Sequence, residues 1–185
     1  MTNPILSVGV LLAIATVPAW SEPPALNERA PDFSLSSLEG GTIKLSEEYA
    51  KNPVVLILLR GFPGYQCPMC NKQVHDLIKA APEFASLGVT VLMVYPGGPA
   101  DLAARAKEFT ADKNLPANFR LLLDPGYEFT NRYGLRWDAP NETAYPATFL
   151  IDKQGLIFFQ KISKTHGGRT TAAEIAGILK NRPGR

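Results

Sequence analysis

The chain has 185 residues and a net charge of +2, with 45% hydrophobic and 19% charged residues. That length accommodates one domain with a substantial core and is short for two. The small excess of base is scattered, which argues against nucleic acid or an acidic membrane surface as partner.

Residues 1–21 carry no Lys, Arg, Asp or Glu, and Ile5 to Val17 is apolar apart from Ser7, Gly9 and Thr16. That run is too short for a comfortable membrane span. Small residues follow at Ala19 and Ser21, just before Glu22. The segment reads as a secretory signal peptide, with an uncleaved anchor as the alternative. Either way the domain is expected outside the cytoplasm, periplasmic or secreted, where an oxidising environment favours disulfide formation. The expected organisation is a signal peptide over 1–21, a polar lead over 22–29 and one domain over 30–181.

In chain order, the Pro-containing lead is expected to be extended. Ala30 to Leu35 and Thr42 to Leu45 alternate around Gly40-Gly41, which predicts a hairpin. Ser46 followed by Glu47 and Glu48 suggests a helix N-cap with acidic first-turn residues. Val54 to Leu59 is a continuous apolar run suited to a strand buried on both faces. Gly61, Pro63 and Gly64 break it, and the chain re-emerges as Cys67-Pro68-Met69-Cys70. An amphipathic helix follows, with Met69, Val74, Leu77 and Ile78 at near-helical spacing. Pro82 kinks or restarts that helix.

Val89 to Tyr95 predicts a second buried strand, and Asp101 to Lys113 a helix with Leu102, Ala106 and Phe109 on one face. Arg120 to Leu123 predicts a short strand. Tyr127 to Tyr133 predicts a helix that ends at Gly134. Ala147 to Ile151 and Leu156 to Ile162 predict strands joined by a hairpin turn at 152–155, and Thr170 to Leu179 a closing helix. Alternating strands and helices followed by a hairpin and helix indicate an α/β fold around a mixed sheet.

Two cysteines at a strand-to-helix transition carry the chemistry. A helix N-terminus offers unpaired N–H groups and a positive dipole, both of which stabilise a thiolate. Cys-x-x-Cys motifs there lower the cysteine pKa to roughly 3.5–7.5. Cys67 is the expected thiolate, because it lies nearest the helix start, and Pro68 suits a first helical position. Cys70 lies one turn on along the same face, so the two close an exposed, easily reduced bridge. A purely structural bridge over so short a loop constrains the unfolded chain little. A zinc site lacks a second cysteine pair, and His75 and His166 are far apart in the chain.

The order of strand, Cys-Pro-x-Cys helix, strand, helix and then Pro-Ala-Thr-Phe-Leu-Ile-Asp on a hairpin resembles the thioredoxin-like superfamily. Within it, the chain resembles the alkyl hydroperoxide reductase/thiol-specific antioxidant group of peroxiredoxin-like redoxins. Four segments carry the likeness: Ala30 to Phe33, Arg60 to Gln73, Leu121 to Tyr133 and Tyr145 to Gln160. The resemblance implies a thioredoxin-like fold, a central mixed sheet flanked by helices with an N-terminal hairpin. It also implies a thiol-dependent oxidoreductase with Cys67 as nucleophile and Cys70 as resolving cysteine. Pro146 matches the cis-proline beside the cysteine pair; the bland reading is an ordinary strand-leading proline.

The sequence also departs from that pattern. Peroxiredoxins carry Pro-x-x-x-Thr/Ser-x-x-Cys, whereas this chain has Arg60 in the proline position and Gly64 in the hydroxyl position. It therefore stands between peroxiredoxins and thiol–disulfide oxidoreductases. Arg60 is a candidate to steady a thiolate or peroxide anion, against a solvated strand-end arginine. Tyr65 and Gln66 are candidates to shape substrate access, against simple loop packing. No bound cofactor or metal is required; the partners are an external thiol donor and a protein disulfide or hydroperoxide. The alternative is a copper-binding chaperone using Cys67, Cys70 and His166. Arg169 carries no separate signal.

Overall fold

A computed structural model describes residues 22–182. The signal-peptide expectation falls outside these residues. Among the described residues, seven strands form one sheet: β1 (Ser34–Ser37), β2 (Thr42–Lys44), β3 (Val54–Leu58), β4 (Thr90–Gly97), β5 (Phe119–Pro125), β6 (Ala147–Ile151) and β7 (Ile157–Ile162), in the order β2-β1-β5-β4-β3-β6-β7. β3, β4 and β5 run parallel, whereas β1 pairs antiparallel to β5 and β6 antiparallel to β3. The sheet is mixed, as the thioredoxin-like resemblance implies.

β3 lies inside the sheet, and its five residues are all buried. Successive side chains point to opposite faces. Val55 and Ile57 join one core with Val74, Leu77, Phe84, Phe109 and Ile175. That core lies beneath α2 (Pro68–Lys79), α3 (Ala81–Ser86), α4 (Leu102–Thr110) and α6 (Ala172–Lys180). Val54, Leu56 and Leu58 join the other, with Leu45, Phe129, Tyr133 and Phe149. There α1 (Leu45–Lys51) and α5 (Glu128–Arg132) cover the sheet. A strand with both faces dry explains why its sequence shows no alternation.

Several local expectations shift. Ser46 is not the cap of α1; Lys44 holds that position without a side-chain bond. Instead Asp32 reaches over from the approach to β1, accepting from Ser46 N–H at 2.9 Å and Ser46 Oγ at 2.8 Å. The polar lead is bonded to the first residue of β7: Asn27 N–H donates to Ile157 O at 2.7 Å, and Ile157 N–H to Glu28 O at 2.9 Å. At Pro82 the helix restarts, α2 ending at Lys79 and α3 beginning at Ala81.

Gly61 is required by a close approach. Its φ is +68°, and a β-carbon there would fall 1.9 Å from Pro96 O at the end of β4. Only glycine lets the chain leave β3 so close to its neighbour. This sharp exit swings the following loop back over the sheet end and delivers Cys67 to the start of α2.

Candidate active site

Cys67 is the N-cap of α2, in extended backbone (φ −70°, ψ 114°), with Pro68 opening the helix. Its Sγ accepts a hydrogen bond from Cys70 N–H at 3.3 Å, so the sulfur takes the place that a Ser or Asp oxygen fills in an ordinary cap. Cys70 Sγ, one turn further, accepts from Arg60 N–H at 3.3 Å. Both cysteines are buried; Cys67 is 2% exposed, which corrects the expectation of an exposed pair. Cys67 belongs to the core beneath α2, and Arg169 approaches the sulfur, its Nη2 lying 3.8 Å from Cys67 Sγ.

The two thiols are pushed in opposite directions. Hydrogen bonding from the Cys70 thiol, then from the Cys70 N–H, with the charges of Arg169 and Arg60, outweighs burial and lowers the Cys67 pKa to about 5. Burial raises Cys70 well above the usual thiol range, and the adjacent Cys67 raises it further. Near neutral pH, Cys67 is a thiolate and Cys70 a thiol that donates to it. One sulfur is ready to attack and the other holds its proton in reserve.

A second cluster backs the first. Arg60 is only 2% exposed, which overturns the solvated strand-end reading. Its Nε donates to Glu142 Oε2 at 2.6 Å, Nη1 to the Tyr65 hydroxyl at 2.7 Å and Nη2 to Asn141 O at 2.5 Å. Thr143 Oγ1 donates to Arg60 O. Burial alone would raise the Glu142 carboxyl, but the bonds from Arg60 and His166 hold it below the ordinary carboxylate range. His166 Nε2 lies 2.8 Å from Glu142 Oε1, and His166 O accepts from Arg169 Nε at 2.9 Å. Arg169 Nη1 also donates to Gln73 Oε1 on α2 at 3.1 Å. A continuous chain of polar contacts thus links Arg60, Glu142, His166 and Arg169 to Cys67.

Gln66 accepts from the Tyr95 hydroxyl at 2.8 Å and donates to Arg105 O at 2.9 Å, tying the cysteine loop to β4 and α4. Tyr65 is half exposed at the rim, with its hydroxyl engaged by Arg60. Pro146 is buried just before β6, whose first residue Ala147 pairs with Leu58 of β3. The Tyr145–Pro146 peptide is trans, as are all peptide bonds among the described residues, which agrees with the strand-leading reading of Pro146 rather than the cis one. The chain reaches β6 already extended, with Tyr145 N–H bonded to Leu135 O and Ser163 N–H to Pro146 O.

The copper-binding alternative gains no support. His166 Nε2 is engaged by Glu142, and among the described residues no group of three or more His, Cys, Asp or Glu is placed to hold a metal ion. Arg169 and Glu142 are the site residues that sequence reasoning missed. Neither stands in a motif; one follows two glycines and the other lies in a Pro-Asn-containing loop.

Residues 26–160 match the AhpC/TSA family. The chain belongs to that family. It is 28% identical over 157 residues to the thiol-disulfide oxidoreductase ResA of Geobacillus thermodenitrificans, covering 85% of this chain and 78% of that protein. It is also 28% identical over 136 residues to the peroxiredoxin Bcp of Bacillus subtilis, covering 70% and 80%. Among solved structures, a yeast mitochondrial 1-Cys peroxiredoxin superposes with a TM-score of 0.69 at 16% identity, over 84% of this chain and 75% of that one. A chain assigned as thiol:disulfide interchange protein DsbE from Chlorobium tepidum gives 0.62 at 22%, over 84% and 99%. These likenesses establish the thioredoxin-like fold. As an AhpC/TSA member, the chain is a thiol-dependent oxidoreductase.

Proposed function

We propose that this protein exchanges dithiol for disulfide with an outside protein disulfide, with Cys67 as nucleophile and Cys70 as resolving cysteine. The supporting observation is the split between the two thiols: Cys67 is lowered to about 5 while Cys70 is raised, one helical turn apart. The Cys67 thiolate attacks one sulfur of the substrate, forming a mixed disulfide and expelling the other sulfur as a thiolate. Cys70 then gives up its proton to that leaving thiolate and attacks Cys67 Sγ. The second substrate sulfur leaves Cys67 as a thiolate and takes its proton from solvent, and Cys67 and Cys70 are left joined. Two electrons have moved, and an external thiol donor returns them.

A hydroperoxide is the second candidate substrate, favoured by the likeness to a peroxiredoxin. Cys67 would take one peroxide oxygen as sulfenic acid, release the other as water or alcohol, and condense with Cys70. The disulfide reading is preferred. Gly64 supplies no hydroxyl near the nucleophile, and the Arg60 side chain is turned into Glu142 rather than toward Cys67. Export is proposed with it, on the apolar, uncharged stretch before Glu22. Among the described residues, no helix is long and apolar enough to cross a membrane.

The test uses the reduced Cys70→Ser protein with one equivalent of hydroxyethyl disulfide, read by mass spectrometry. A mixed disulfide trapped on Cys67 is expected, with none in Cys67→Ser. Absence of the adduct, with rapid sulfenic acid formation under peroxide instead, would replace the disulfide reading by the peroxidase one.

A further inference from the structure

A cleft of about 420 Å³ opens beside Cys67, between α2 and the segment Gly168 to Thr171. Arg169 lines it and also touches Cys67 Sγ, so the cleft begins at the nucleophile. Met69, one of the few large apolar side chains left exposed, marks the same end. Further along, the floor is α2, which contributes Lys72, Asp76 and Lys79. These positions recur at helical spacing from Met69, so the row extends about 15 Å along the helix axis.

The charge along that row is net positive, two ammonium groups and the Arg169 guanidinium against the single carboxylate of Asp76. Lys72 and Lys79 are exposed, and neither makes an ion pair among the described residues. The carboxylate of Asp76 is already used, its Oδ2 accepting from Ala172 N–H at 2.9 Å at the start of α6. The cleft thus presents an apolar Met69 next to the sulfur, a guanidinium at the sulfur itself and two ammonium groups without ion pairs further along, with the Asp76 carboxylate between them tethered to the start of α6. An extended peptide advances about 3.3 Å per residue, so the row matches four or five residues. That exceeds the reach of a tripeptide such as glutathione.

We propose that this cleft receives an extended acidic segment of the substrate protein, running on from the cysteine that Cys67 attacks. Its carboxylates face Lys72 and Lys79, and an apolar residue beside the cysteine rests on Met69. This assigns a substrate class to the site and rests on the thiol–disulfide reading above. Charges in such a groove steer the encounter and select among partners rather than add much affinity.

The test compares four disulfides reacting with the full-length reduced protein. Two are pentapeptides with an N-terminal cysteine joined to mercaptoethanol, one with glutamates at its third and fifth positions and one with lysines there. The others are glutathione disulfide and hydroxyethyl disulfide. At low ionic strength the acidic peptide is expected to react about tenfold faster than the basic one, the ratio shrinking as salt is added. Reversing both charges, with Lys72→Glu and Lys79→Glu together, is expected to invert that order. Equal rates for acidic and basic peptides, with hydroxyethyl disulfide still reacting, would overturn the cleft proposal and leave the redox reading standing. Glutathione disulfide matching the acidic peptide would overturn the assignment to a protein segment. Failure of hydroxyethyl disulfide itself to react would refute the thiol–disulfide reading and this proposal with it.

Discussion

Arg169 stands 102 positions beyond Cys67 in the chain, yet its Nη2 lies 3.8 Å from the Cys67 sulfur. It is held there by Gln73 of α2 and by the His166 carbonyl. The guanidinium therefore both covers the nucleophile and offsets its negative charge.

Replacing Arg169 by Ala is expected to raise the Cys67 pKa from about 5, because one of the charges lowering it is removed. It should stay below that of free cysteine, since the hydrogen bonds from Cys70 persist. Alkylation by iodoacetamide at pH 5 should slow by roughly two- to tenfold, one pKa unit being a factor of ten. Arg169→Lys should recover part of the effect. A pH–rate profile superimposable on that of the parent would show that Arg169 only shields the sulfur.

The lowered thiol also makes the stability of the reduced protein depend on pH. Cys67 titrates near 5 when folded, against about 8.5 in an unfolded chain. Between those values the unfolded chain binds more protons, so stability rises with pH, is complete above the unfolded pKa, and is lost as pH falls through about 5. The span is at most about 5 kcal/mol. Cys70, raised instead, acts in the opposite sense only above its own unfolded pKa. Urea midpoints of the reduced protein should rise from pH 5.5 to pH 8 more steeply than those of Cys67→Ser. Parallel slopes would mean that Cys67 is not a thiolate in the folded protein.

A stabilised thiolate favours the dithiol over the disulfide, which makes the pair more oxidising. A thiol near 5 falls between those of thioredoxin, about 7, and DsbA, about 3.5. The reduction potential is accordingly expected between about −270 and −120 mV. Equilibration against a glutathione redox buffer measures it, and a value below about −270 mV would contradict the thiolate assignment.

The Arg60–Glu142 pair predicts a large stability effect from a residue outside the cysteine motif. The two side chains are 2% and 12% exposed and 2.6 Å apart. Glu142→Ala leaves the buried guanidinium without its counter-charge, at a cost of roughly 3–5 kcal/mol. Urea unfolding at pH 7 should show a lower midpoint with an unchanged slope. A loss below about 1 kcal/mol would place the pair with ordinary surface contacts.

Much of the fold was legible from local pattern. β3 showed as an unbroken apolar run, the first hairpin as alternating runs around Gly40-Gly41, the second as two strands joined by a turn at 152–155, and α6 as a closing helix. The misreadings share one cause. Ser46 looked like a helix cap because Ser precedes two acids, but Asp32, 14 positions away, supplies the acceptor. Arg60 was open to two readings, a group steadying an anion or a solvated strand-end arginine, and neither includes Glu142, 82 positions away, which pairs with it.

The sequence alone determined that two sulfurs would lie one turn apart at the start of a helix leaving a buried strand. Apolar periodicity, breakers and the proline after Cys67 act within a few residues, so the chain states them directly. Only the tertiary structure decided that Arg169 would cover Cys67, that Arg60 would be buried against Glu142, and that a basic cleft would open along α2. Those outcomes depend on which distant loops the sheet order brings to one edge, and no local preference encodes that.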